Sequence, residues 1–149
     1  MKRIFNQCQG GYAVVALISG IGLVAFRDPN GIRPLALGKN HNGSYLLASE
    51  SSAITSLGFE VLKDVKPGEA IIINCDGSLE EKHLIKDMQH TPCLFEYVYF
   101  SRPDSTIDSI SVHKSRLRMG DYLGEKIATQ YSHLNICLLY TSPSPRDLA

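Results

Sequence analysis

The run YAVVALISGIGLVAF, Tyr12 to Phe26, limits the fold more than any other part of the sequence. Two stretches rich in valine, alanine and other apolar residues are interrupted by Gly20–Ile21–Gly22, and each has strand length, not helix length. A hairpin of two strands buried on both faces follows, so the sheet must be covered on two sides. The same residues formally satisfy a G-x-G-x-x-A dinucleotide fingerprint. That motif needs a helix to start at once, and the β-rich Val24–Ala25–Phe26 followed by Pro29 prevents it.

Directly after this hairpin comes AFRDPNGIRPL, Ala25 to Leu35. Asp28–Pro29–Asn30–Gly31 has the preferred residue of a type I turn at all four positions. A turn needs neither Arg27 nor Arg33 on its flanks. Arginines between apolar runs pair with carboxylates, for which Asp28 and Glu50 are the candidates, or contact a glutamine or phosphate ligand. Further on, Pro34–Gly38 and Tyr45–Ala48 read as strands around an Asn-Gly turn. Ser51 or Ser52 is placed to cap a short helix through Leu57 that Gly58 ends in the left-handed conformation. Strands over Ala70–Asn74 and Leu79–Leu84 flank Cys75–Ser78, which makes this part a mostly antiparallel sheet. CLFEYVYF, Cys93 to Phe100, reads as one more apolar strand, broken by Arg102–Pro103–Asp104–Ser105. Val112 to Tyr131 has helical spacing, with Val112, Met119, Leu123 and Ile127 along one stripe.

Composition removes several function classes. Fifteen basic and fifteen acidic residues balance to zero net charge without a basic cluster, which argues against a nucleic-acid partner. No apolar run approaches the roughly 18 residues that cross a bilayer, and Met1–Lys2–Arg3 leads into polar residues, so no membrane is expected and the cytoplasm is the default location. The four cysteines, Cys8, Cys75, Cys93 and Cys137, match no metal or redox spacing and read as reduced thiols. The five histidines form no ligand pair, and no G-x-S-x-G elbow occurs. No catalytic residue is nominated from spacing.

Three segments, GGYAVVALISGIGLVAFRDPNGIRPLALG, LLASESSAITSLGFEVLKDVKPGEAI and PCLFEYVYFSRPDSTIDSISVHKSRLRMGDYLGEKIA, together resemble the glutamine phosphoribosylpyrophosphate amidotransferase family. RD…G…RPL and ASE are shared with asparagine synthetases, whereas FEYVYFSRPDS selects the phosphoribosyl enzymes. The resemblance implies an α+β fold: part of an N-terminal-nucleophile hydrolase sandwich of antiparallel sheets with flanking helices, followed by the first helix leading into a phosphoribosyltransferase domain. On that reading residues 1–92 are the C-terminal half of a class II glutaminase domain, and 93–136 are an interdomain strand and helix. Residues 137–149, CLLYTSPSPRDLA, depart from the family and read as a non-native tail, so the chain is expected to be an internal fragment.

The family releases ammonia from glutamine with an N-terminal cysteine. It then uses the ammonia, with magnesium, to displace pyrophosphate from phosphoribosyl pyrophosphate, giving phosphoribosylamine in the first step of purine synthesis. Neither reacting centre maps onto this chain, so the fragment itself is expected to be inactive and to hold no metal. His41–Asn42–Gly43 resembles an oxyanion motif but reads as a turn. Cys93 matches a position that supplies an iron–sulfur ligand in cluster-containing members. The polar residues expected to shape the sheet or join the two domains are Arg27, Asp28, Arg33, Glu50, Glu96, Arg102 and Asp104. A homo-oligomeric parent is implied. The alternatives are a fragment of another class II amidotransferase or a non-catalytic binding or scaffold module.

Overall fold

The computed structural model describes residues 2–85 and 89–134. A short helix α1 (Lys2–Gln7) precedes strands β1 (Ala13–Ile18), β2 (Gly22–Arg27), β3 (Ala36–Lys39) and β4 (Tyr45–Ala48). Helix α2 (Ser51–Ser56) and strands β5 (Glu60–Asp64), β6 (Glu69–Asn74) and β7 (Leu79–His83) follow. A π-helical turn (Glu96–Phe100), the small strands β8 (Thr106–Ile107) and β9 (Ile110–Ser111), and helix α3 (Val112–Gln130) complete the described chain. The backbone divides into two compact units after Arg116.

All pairings in the first unit are antiparallel, in a four-stranded sheet of order β1-β2-β6-β7, a three-stranded sheet of order β4-β3-β5 and the β8-β9 hairpin. Alternation along β2 and β6 sends side chains to two separate cores. Val24, Phe26, Ala70 and Ile72 pack with Phe5 of α1 on one face. Ala25 and Ile71 pack with Leu35, Leu37 and Val65 on the other, which joins the two sheets. This is why their sequences are almost continuously apolar. Glu69, fully buried at the head of β6, reinforces the junction by accepting hydrogen bonds from Lys63 Nζ of β5 and the Lys66 backbone N–H, both at 2.7 Å. A side chain at Gly38 of β3 would collide with Ile54 of α2, so glycine is what lets this helix sit close on its sheet.

Several expectations differ from the structure. Strand β1 is not buried on both faces: Val15 is 48 % and Leu17 83 % exposed, because β1 is the edge of its sheet. Neither Ser51 nor Ser52 caps α2; the cap is Glu50, in extended conformation and without a side-chain cap bond. The two hydroxyls are taken by residues 105 and 106, as described below. The expected strand over Cys93–Phe100 is instead a π-helical turn with Ser101 N–H bonded to Glu96 O at 3.1 Å. Strand β5 and helix α1 have no counterpart in the sequence reading, since EVLKD and KRIFNQ carry too few apolar positions for a clear period. The stripe on α3 is not a buried one, for Leu123 stands exposed. Residues 137–149, including Cys137, lie outside the described residues.

Candidate functional site

The loop after β2 is the point at which the first unit gathers its charges. Gly31 N–H bonds to Asp28 O at 3.1 Å, closing the expected turn, and Gly31 has φ +62°, where a Cβ would also meet Pro67 at 2.7 Å. The Asp28 carboxylate is fully buried and accepts the backbone N–H groups of Asn30, Ile32 and Arg33, each at 3.0 Å. It therefore shapes its own loop and pairs with no arginine. Outside the loop, Thr91 N–H bonds to Asn30 O and Cys93 N–H to Ile32 O, so residues 91–93 run alongside it.

Arg27 is 1 % exposed and uses all five of its N–H donors. Nε donates to Arg33 O at 2.6 Å, Nη1 to Val65 O at 2.9 Å and Nη2 to Gly31 O at 2.9 Å. The remaining two N–H groups hold Asp108 as a fork, at 2.7 and 2.8 Å. The expected partners of Arg27, Asp28 and Glu50, are thus replaced by a carboxylate that the sequence reading did not single out. Asp108 and Ser109 form the two-residue loop of the β8–β9 hairpin, both at positive φ (48° and 66°), as a tight hairpin of this length requires. His90 Nε2 stands 3.1 Å from Asp108 Oδ2. Burial would push the Asp108 carboxyl up, but the hydrogen bonds and charge of Arg27, helped by His90, outweigh it and hold the group below the usual range. Asp64 lies opposite. Burial and the negative charge of Asp108 push it up, against the N–H groups of Ser109 and Asp108 and the charge of Arg27, which pull it down. An open groove of about 730 Å³ runs past Asp64, Lys66, His90 and Asp108.

Arg33 points the other way. Its Nη1 stands 2.7 Å from Glu96 Oε1, and its guanidinium lies 5.7 Å from the centre of the Phe100 ring. Glu96 is 4 % exposed and its second oxygen accepts Ser101 Oγ at 3.0 Å. Arg116 closes the π-helical turn by donating to Tyr97 O at 2.8 Å and Ser101 O at 2.7 Å. Arg33, Glu50, Glu96 and Phe100 line a common pocket of about 330 Å³.

Glu50 accepts the backbone N–H of Arg102 at 2.8 Å and Ser105 Oγ at 2.9 Å, while Ser105 Oγ donates to Ser52 Oγ at 2.8 Å. Thr106 N–H bonds to Ser51 Oγ at 2.7 Å. The Arg102 side chain is forked on Asp104, two residues on and at the surface, at 3.0 Å for both bonds. The structure thus joins Arg27, Arg33 and Glu50 to one segment, residues 96–108, through Asp108, Glu96, Arg102 N–H and Ser105, while Asp104 in the same segment pairs with its neighbour Arg102.

Asp108, Ser105, Asp64 and Arg116 are the members that sequence reasoning missed. The one available signal was Ile107–Asp108–Ser109–Ile110, two turn-forming residues between isoleucines. Among the described residues no group of three or more His, Cys, Asp or Glu could hold a metal ion. Cys8 and Cys75 are exposed and Cys93 partly so, and a four-cysteine cluster is not assembled from described residues. The histidine side-chain hydrogen bond found among them goes to Asp108, not to a hydroxyl or thiol. The chemistry of this arrangement is positional: it holds loops and strands together.

Antiparallel sheets packed face to face and flanked by helices place the chain in the α+β class of the N-terminal-nucleophile-hydrolase kind. No protein-family model matches it. In sequence it is 52 % identical over 139 residues to the amidophosphoribosyltransferase of Escherichia coli K12, a match that takes in 91 % of this chain and 28 % of that one. The amidophosphoribosyltransferase of Saccharomyces cerevisiae is 45 % identical over 150 residues, covering 96 % of this chain and 29 % of the relative. Among solved structures, the glutamine phosphoribosylpyrophosphate amidotransferase of B. subtilis, complexed with ADP and GMP, superposes with a TM-score of 0.77 at 36 % identity over 84 % of this chain and 27 % of its own. The chain is a partial-length relative of the amidophosphoribosyltransferases, spanning little more than a quarter of their length.

Proposed function

We propose that this chain is the part of an amidophosphoribosyltransferase that completes the glutaminase sheet and carries the connection toward the phosphoribosyl centre. The observation that supports it is the 52 % identity to the Escherichia coli enzyme over nearly the whole chain. In the parent, ammonia released from glutamine displaces pyrophosphate from phosphoribosyl pyrophosphate, and the product, phosphoribosylamine, enters purine synthesis. Magnesium, a homo-oligomeric state and a cytoplasmic location belong to the same proposal. Among the described residues no helix is long and apolar enough to cross a membrane. A cluster ligated by Cys93 would need partners from other parts of the parent, and no step is assigned to it.

FEYVYFSRPDS is the connection. Glu96 supports that role, since it is buried and ion-paired to Arg33 of the sheet loop. By itself the chain is expected to hydrolyse no glutamine; hydrolysis that disappeared with Cys8→Ala would contradict this. The decisive experiment replaces the matched stretch of the Escherichia coli enzyme with this chain's residues and follows pyrophosphate release. Release driven by glutamine and by ammonia is expected. A folded chimera that released none with either nitrogen source would refute the assignment.

A further inference from the structure

We infer that Asp108 is the positioning residue of this connection, holding the β8–β9 hairpin and the first turn of α3 against Arg27; its consequence for turnover rests on the function proposed above. Three observations carry it. First, the turn accounts for the backbone at Asp108 but not for what its carboxylate touches. Both loop residues sit at positive φ, which glycine, asparagine and aspartate all suit. Both carboxylate oxygens nonetheless reach out of the turn onto Arg27.

Second, Arg27 is itself immobilised. Its other three donors are fixed on the carbonyls of Gly31, Arg33 and Val65, so Asp108 is tied to the sheet loop and to the end of β5 at once. Third, the hairpin and the start of α3 are one piece. Ser111 ends β9, Val112 begins α3, Val112 N–H bonds back to Ser105 O and His113 N–H to Pro103 O. Where Asp108 is held, residues 103–113 are held with it.

Two variants separate this role from a plain turn. Asp108→Gly suits the backbone and removes the carboxylate; Asp108→Asn keeps the shape and removes the charge. In the 149-residue chain, amide hydrogen exchange over 106–113 is expected to quicken at least tenfold in both, and by a larger factor than in β2 and β6. In the chimera, glutamine-driven turnover is expected to fall at least tenfold while ammonia-driven turnover stays within twofold. Slower or unchanged exchange in Asp108→Gly would overturn the inference, because it would mean that the turn alone sets the hairpin. An equal fall of both turnovers would overturn the positioning role in the same way. A chimera with Asp108 intact but inactive with both nitrogen sources would count against the proposed function instead, and the exchange comparison would still decide whether Asp108 holds the hairpin.

Discussion

Among the described residues of the first unit two arginine–aspartate pairs are forked, and they differ in almost everything but chemistry. Arg27 and Asp108 are 81 positions apart, with side chains 1 % and 15 % exposed; Arg102 and Asp104 are two positions apart and 66 % and 55 % exposed. In water the fork gains little, because solvent serves each group nearly as well and salt screens what remains. In the interior the balance reverses. Removing one partner leaves the other charge without water or counter-ion, a loss of about 3–5 kcal/mol in buried pairs. The same forked pairing therefore marks a structural keystone in one place and a surface detail in the other.

The largest expected effect is Arg27→Ala. It strips three carbonyls and Asp108 of their donors, and we expect it to lower unfolding free energy by about 4 kcal/mol, read as a shifted urea midpoint. For a single domain that is a large share of the whole. Arg27→Lys should recover little, since three donors on a flexible stem cannot meet five acceptors in a plane.

Smaller, and opposite in sign, is Asp64→Asn. The folded-state carboxyl of Asp64 is raised by burial and by Asp108, so its contribution to stability is fully present below its unfolded value and is lost as pH rises through the folded one. Asp108 is depressed in the fold, so its contribution is present above the unfolded value, near 4, and is lost as pH falls through the folded one. Asn at 64 still offers an oxygen to the N–H groups of Asp108 and Ser109. We expect it to match or exceed the stability of the unaltered chain at pH 7, and to leave intact the loss in strong acid that belongs to Asp108. Parallel urea titrations from pH 3 to pH 7 would show it; a marked loss at pH 7 would mean that the Asp64 charge supports the hairpin.

Smallest of all is Arg102→Ala, for which no change in urea midpoint is expected. A measurable loss would show that burial is not what separates the two pairs.

What the sequence disclosed follows the same division between near and far. The turn Asp28–Gly31, the Asn-Gly hairpin and strands β2 and β6 rest on neighbours in sequence or on strictly apolar runs, and they were legible from residue type. Arg27 and Arg33 were recognisable as arginines that needed partners. Which carboxylates would meet them was not, because any acid in the chain satisfies that demand until the fold brings one close. The π-helical turn was hidden for a related reason. Its aromatic residues suit a strand, and contacts from Arg116, Arg33 and Ser101 to Glu96, Tyr97 and the turn's carbonyls favour the helical alternative.

The complete engagement of Arg27 also bears on reagents that attack guanidinium groups. Phenylglyoxal and its kin need a free face and a mobile nitrogen. Arg102 offers both and Arg33 offers a partly open face, whereas Arg27 has neither while the loop is closed. The order in which the three are labelled is therefore a footprint of the closed loop, and adduct formation at Arg27 is a clock for its opening.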